Sequence, residues 1–139
     1  MRLTSILLSL ALAATAAAVP AAESETDSII KKEHPGDTAL SQDSSGKYHY
    51  KSFPGLSSLF VFERDAPGKS NCINECRSAW QPLLVSGGET TEQVGDWTVV
   101  KREDGRRQWA YKGQPVYTRY HNMPPDESSE KQGFHLLEP

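Results

Sequence analysis

The chain has 139 residues, 15 basic and 18 acidic side chains, a formal net charge of −3 and two cysteines. That length holds one domain with its own core and not two comfortable ones. No basic block is present to follow a phosphate backbone, which argues against nucleic acid as a partner.

Arg2 places one positive charge ahead of Ile6, Leu7, Leu8, Leu10 and Leu12, and this apolar core gives way to small residues through Ala18. The three-part pattern is that of a secretory signal, predicted over residues 1–18. The apolar stretch, interrupted by Ser9 and Thr15, is shorter than the roughly 20 residues a spanning helix needs. Cleavage after Ala18 satisfies the small-x-small rule through Ala16 and Ala18; cleavage after Ala21 is the alternative, through Val19 and Ala21. No cysteine lies near either site to accept a lipid. The expected product is an exported chain, periplasmic or extracellular, with neither a transmembrane nor a lipid anchor and with a net charge of about −4 once Arg2 is gone.

Residues 19–46 are expected to form a flexible leader. From Ala22 to Gly46 the larger aliphatics are Ile29, Ile30 and Leu40 and aromatics are absent, too little apolar surface to bury. From Lys47 the composition changes to frequent aromatics broken by Gly and Pro, which predicts a single β-rich domain over residues 47–139. Residues 47–53 read as a strand, Pro54-Gly55 as a turn and residues 58–63 as a second strand. Residues 73–80 are the one predicted helix, with Ser70 or Asn71 as N-cap and Pro82 preventing extension. Residues 86–95 read as a loop. A meander follows: strands over 97–102, 107–111 and 116–120, joined by Asp104-Gly105 and Lys112-Gly113 turns that tolerate positive φ. Trp97 and Val99 share one face, as do Trp109 and Tyr111. Residues 122–132, with Pro124-Pro125 and several charges, read as an exposed loop, and 134–137 as a last strand closing a sheet edge.

The run Phe60-Val61-Phe62-Glu63-Arg64-Asp65, with Pro67 to Cys72, Cys76, Trp80 and Pro82-Leu83 after it, resembles the secreted repeat family of bacterial lipoproteins marked by a Tyr-x-aromatic-x-x-Asp motif. So do Trp97, Arg102, Asp104-Gly105, Gln108-Trp109-Ala110-Tyr111, Gly113, Pro115 and Tyr117 in the second half. The resemblance covers residues 48–139 and implies an envelope protein of two degenerate half-repeats; the family has no established activity, so no catalytic residue carries over. Phe60 stands where the motif has tyrosine; in the second copy Tyr117 is retained, Arg119 replaces the middle aromatic and Asn122 replaces the aspartate.

Cys72 and Cys76 are the only cysteines, in a chain bound for an oxidising compartment, and a structural disulfide is the first reading. So small a ring stabilises by about 2 kcal/mol on the chain-entropy estimate. The alternative makes the same pair a redox or metal site, a copper or haem handler with help from His49, His121 or His135. No histidine pair has zinc-ligand spacing and no haem-attachment motif is present. Asp65 fits a turn former or, less simply, a ligand or base; Asp104 belongs to a hairpin signal. Trp80, Trp97, Trp109, Tyr111 and Tyr117 fit a buried core or a stacking platform. Signatures of nucleophile elbows, phosphate loops, metalloproteases and dinucleotide binding are missing. The expectation is a non-enzymatic envelope module with no cofactor, binding an envelope protein or small ligand.

Overall fold

The computed structural model describes residues 11–15 and 25–139. Both predicted cleavage sites, and all of the predicted signal but its residues 11–15, lie outside the described residues. The fold is mainly β, with nine strands and two short α-helices among the described residues. Helix α1 (Glu25–Ile30) leads into an antiparallel hairpin of β1 (Thr38–Gln42) and β2 (Tyr48–Ser52), in which Leu40 faces Tyr50. Asp43 makes the connecting turn: its carboxylate accepts from the N–H groups of Ser45 and Lys47 at 2.9 and 3.0 Å.

The larger sheet contains β3 (Phe60–Phe62), β4 (Trp80–Pro82), β5 (Gln93–Val94), β6 (Trp97–Lys101), β7 (Arg107–Tyr111), β8 (Gln114–Arg119) and β9 (Phe134–Leu136). Its order is β5-β6-β7-β8-β3-β9, with β4 also pairing β8. The predicted meander is β6–β7–β8, and β9 lies at the predicted edge. Gly105 has φ +85° at the β6–β7 turn, as the Asp-Gly signal requires.

Strand periodicity sends alternate side chains to two aromatic clusters. Tyr50, Leu59, Leu83, Trp97, Trp109, Tyr111, Val116 and Leu137 fill one face. Phe60, Phe62, Cys72, Trp80, Tyr117 and Phe134 fill the other. On the second face Trp80 stacks on Phe134 at 3.8 Å between ring centroids, and Phe134 on Phe62 at 4.4 Å. Each such side chain buries roughly 150–250 Å², which is how so small a domain acquires two cores.

Four expectations are corrected. The leader expected over 19–46 is not without structure: residues 25–42 supply α1 and β1, and Ile29 and Leu40 pack against the first cluster. Asp37 fastens this segment by accepting from the buried Trp109 Nε1 at 2.8 Å and from the N–H and hydroxyl of Ser86. Gly95 sits so close beneath it that a Cβ there would lie 2.7 Å from the Glu33 carbonyl oxygen. The helix expected over 73–80 is a 3₁₀ turn, Glu75–Ser78, without a side-chain cap at Asn74. Pairing with β8 draws Trp80 into a strand opposite Arg119, and tertiary packing overrides helix propensity. The loop expected over 122–132 contains α2 (Glu127–Lys131), nucleated by a capping box between Asp126 and Ser129. Arg119 holds α2 in place by donating to the Pro124 carbonyl and the Ser128 hydroxyl while its guanidinium covers the Trp80 ring. The loop expected over 86–95 likewise ends in β5.

Candidate functional site

The two stretches aligned with the repeat motif are neighbours in space. β3 and β8 run antiparallel with Phe60 opposite Tyr117, so a local two-fold relates the first residues of the two copies. Tyr117 donates its hydroxyl proton to Asp65 Oδ2 at 2.7 Å, linking the tyrosine of one copy to the aspartate of the other. Asp65 Oδ1 accepts from the Asn71 N–H at 2.7 Å, closing the turn that leads toward Cys72.

The network continues inward in one direction. Ser70 Oγ lies 2.6 Å from the Tyr117 oxygen; because Tyr117 has already given its only proton, Ser70 donates in that bond. Ser70 in turn accepts from Arg102 Nη1 at 2.9 Å. Arg102, 4% exposed, also donates to Gln108 Oε1 at 2.7 Å and to the Cys72 carbonyl at 2.9 Å, and Gln108 donates to the Val116 carbonyl. A buried guanidinium and a half-buried carboxylate are therefore joined through two hydroxyls, an arrangement in which each bond polarises the next. Burial is the largest influence on Asp65 and raises its carboxyl above the usual aspartate value, opposed by the Asn71 N–H, the Tyr117 hydroxyl and Arg102. Burial likewise raises the Tyr117 phenol.

By the same two-fold, the counterpart of the Tyr117–Asp65 bond would join Phe60 to Asn122. Phe60 has no hydroxyl, and Asn122 Oδ1 instead accepts from Ser57 Oγ at 2.5 Å. Two of the three departures from the motif, Phe60 and Asn122, thus fall on the two ends of one bond.

Cys72 and Cys76 form a disulfide with a Cα separation of 5.4 Å, inside the range a relaxed bridge spans. Cys72 is fully buried and Cys76 partly exposed. Beside the ring lies a groove of about 360 Å³ lined by Ile73, Asn74, Arg77, Arg102, Glu103 and Asp104. Asp104 is occupied with its turn: its carboxylate takes the Arg106 N–H and guanidinium, which hold its carboxyl down at about 2. The candidate histidines are separately engaged or separately placed. His49 is hydrogen-bonded with Asp43 at 2.8 Å, His135 with Glu63 at 2.9 Å, and His121 lies in the 3₁₀ segment Tyr120–Asn122. Among the described residues, no three His, Cys, Asp or Glu side chains converge as a metal site.

Trp80, Trp97, Trp109, Tyr111 and Tyr117 are each at most 2% exposed, and Phe62, Gly105 and Gly113 belong to strand or turn. Tyr50, which the sequence reading left without a role, packs on Trp97 and Tyr111 at 5.2 and 5.5 Å, and burial pushes its phenol up to about 12. In sequence Ser70 is a candidate N-cap and Arg102 and Gln108 belong to the family resemblance, and none of the three signals a buried network. Arg102 follows directly after β6, and its burial comes from the side chains and the Cys72 carbonyl that gather round it.

Residues 98–128 match the family model of a secreted repeat of unknown function, a span that runs from β6 into α2 and includes Tyr117 and Asn122. The resemblance read from the motifs is therefore supported over that segment. No curated protein and no solved structure matches the chain. Among the described residues no helix is long and apolar enough to cross a membrane.

Proposed function

We propose that this protein is an exported, non-enzymatic binding module of the cell envelope whose repeat motif serves as scaffold. The observation that carries this reading is the Arg102–Ser70–Tyr117–Asp65 chain. Both Asp65 oxygens accept hydrogen bonds and the Tyr117 hydroxyl is spent, so the motif's polar groups satisfy one another in place of facing a substrate. The signal pattern at residues 1–18 and the secreted-repeat match support export. The Cys72–Cys76 disulfide fits an oxidising compartment. It pins the chain where Arg102 meets the Cys72 carbonyl.

The test is a thiol titration, elemental analysis and optical spectrum of protein recovered from the exported fraction, with its intact mass. A mass beginning at Val19 or Ala22, no titratable thiol and no metal or chromophore is the expected result. Two free thiols with stoichiometric metal, or a precursor retained whole in the cytosol, overturns the reading.

A further inference from the structure

Four large apolar side chains stand out of the folded body on two loops: Phe53 and Leu56, each 56% exposed, and Tyr120 and Met123, 39% and 43% exposed. The Ser57–Asn122 hydrogen bond ties one loop to the other, so these side chains form one neighbourhood at the end of the β3–β8 pair that lacks the tyrosine–aspartate link. The first loop is firmly built. The Leu56 N–H donates to the Ser52 carbonyl at 2.8 Å, the Ser57 N–H to Ser52 Oγ at 2.9 Å, and the Phe53 N–H to the Asp37 carbonyl at 2.8 Å. Leu56, His121 and Asn122 all hold left-handed backbone, at φ 53°, 58° and 53°, a conformation that costs a branched residue such as leucine free energy. Apolar side chains on display and a conformational cost at the same place call for a purpose on the outside.

Charge narrows what that purpose is. Asp, Glu, Lys and Arg make up 24% of the chain, yet none occurs from Ser52 to Phe62 or from Tyr120 to Pro125, where His121 is the single basic side chain. Area narrows it further. Four side chains at this exposure amount to roughly 400 Å², about half the roughly 800 Å² per partner that a stable protein interface buries. A bilayer surface sets no such minimum, because each apolar side chain that enters contributes its own transfer free energy. It also demands no charge partners, and a tyrosine ring suits the headgroup level. We propose that the 53–56 and 120–123 loops form a lipid-facing tip that inserts into the interfacial zone of a bilayer. The proposal rests on the reading of an exported binding module and names the surface that module meets.

The experiment is flotation of the purified exported chain with vesicles of phosphatidylcholine alone and of phosphatidylcholine with phosphatidylglycerol. Since Trp80, Trp97 and Trp109 are at most 1% exposed, a Met123→Trp variant adds a reporter that brominated phosphatidylcholine quenches on contact. The wild-type chain is expected to float with both vesicle types. The pair Phe53→Ser with Leu56→Asn lowers the bound fraction about ten-fold, while Ile30→Ser with Leu84→Ser changes it less than about two-fold. Asparagine tolerates the left-handed backbone at position 56, and the thermal midpoint of the variant verifies that it still folds. Absence of flotation with either vesicle, equal loss in the control pair, or self-association that disappears in the loop variants overturns the proposal. Free thiols and bound metal would defeat the module reading without touching the flotation result, so the two failures are distinguishable.

Discussion

At one end of the β3–β8 pair Tyr117, Asp65, Ser70 and Arg102 are hydrogen-bonded in a chain turned inward, and the Cys72–Cys76 ring supplies the Cys72 carbonyl as a further acceptor. At the other end Phe60 has no proton to give, Asn122 takes its bond from Ser57, and the flanking loops present apolar side chains to solvent. The strands that set up these ends are the same two, related by one local axis. The difference shows how a buried polar bond constrains its surroundings. A phenol and a carboxylate must both be present and both aligned, since either alone is left unpaired at a cost of about 1–3 kcal/mol. Where both are replaced, that end is released from internal satisfaction and its loops are free to face outward.

The sharpest break in this comparison comes at Arg102. Arg102→Met strips hydrogen bonds from Ser70, Gln108 and the Cys72 carbonyl together. Removal of one member of a buried charged network costs about 3–5 kcal/mol, measured as a lower urea midpoint. Such a loss without a matching change at the open end would place the stability of the pair on the closed side. Reduction of Cys72–Cys76 comes next, at about 2 kcal/mol for so small a ring. It is expected to leave the β6–β7–β8 hairpins protected in hydrogen exchange while residues near the 3₁₀ turn lose protection; collapse of the whole sheet would show the ring to be more than a local clamp.

How far these ends were legible in sequence depends on the reach of the contacts. The β6–β7–β8 meander was readable because Asp104-Gly105 and Lys112-Gly113 are local turn signals flanked by alternating aromatics. The segment at 25–42 was not, because Asp37 is stabilised by Trp109, a partner 72 residues away. Helix α2 escaped notice for a related reason: its sequence is polar, and what holds it is Arg119 on β8 and the Trp80 Nε1 bond to Gln132. In the closed network, the motif pointed to Asp65 and Tyr117, whereas Ser70, Arg102 and Gln108 needed the packing of three separate strands and loops before their hydrogen bonds could be counted. The cysteine pair was legible as a disulfide because nothing else in the chain competes for either sulfur.

A gentler probe exchanges the chemistry of the two ends. Tyr117→Phe removes the donor to Asp65 and leaves a partly buried carboxylate short of one bond, at a cost of about 1–2 kcal/mol. Phe60→Tyr places a hydroxyl in a fully buried position beside Trp80; alone it is expected to cost about 1 kcal/mol, and combined with Asn122→Asp less than the sum of the singles, which a double-mutant cycle reads directly.

The smallest effect is in pH. Burial raises the Asp65 carboxyl above its unfolded value near 3.8, so just above that pH the native protein still binds a proton the unfolded chain has released. Stability contributed by this group is therefore present in acid and lost as pH rises through its folded pKa. Asp104 and Asp126, held below 3.8 by the hydrogen bonds they accept from Arg106 and Ser129, act in the opposite sense and lose their contribution as pH falls through their folded values. Asp65→Asn removes the Asp65 contribution alone. The stability of the wild type relative to this variant, followed by denaturant midpoint from pH 3 upward, should decline just above pH 3.8 and then level off; a relative gain over that window would mean that the Tyr117 and Asn71 bonds outweigh burial and that the closed end favours the carboxylate.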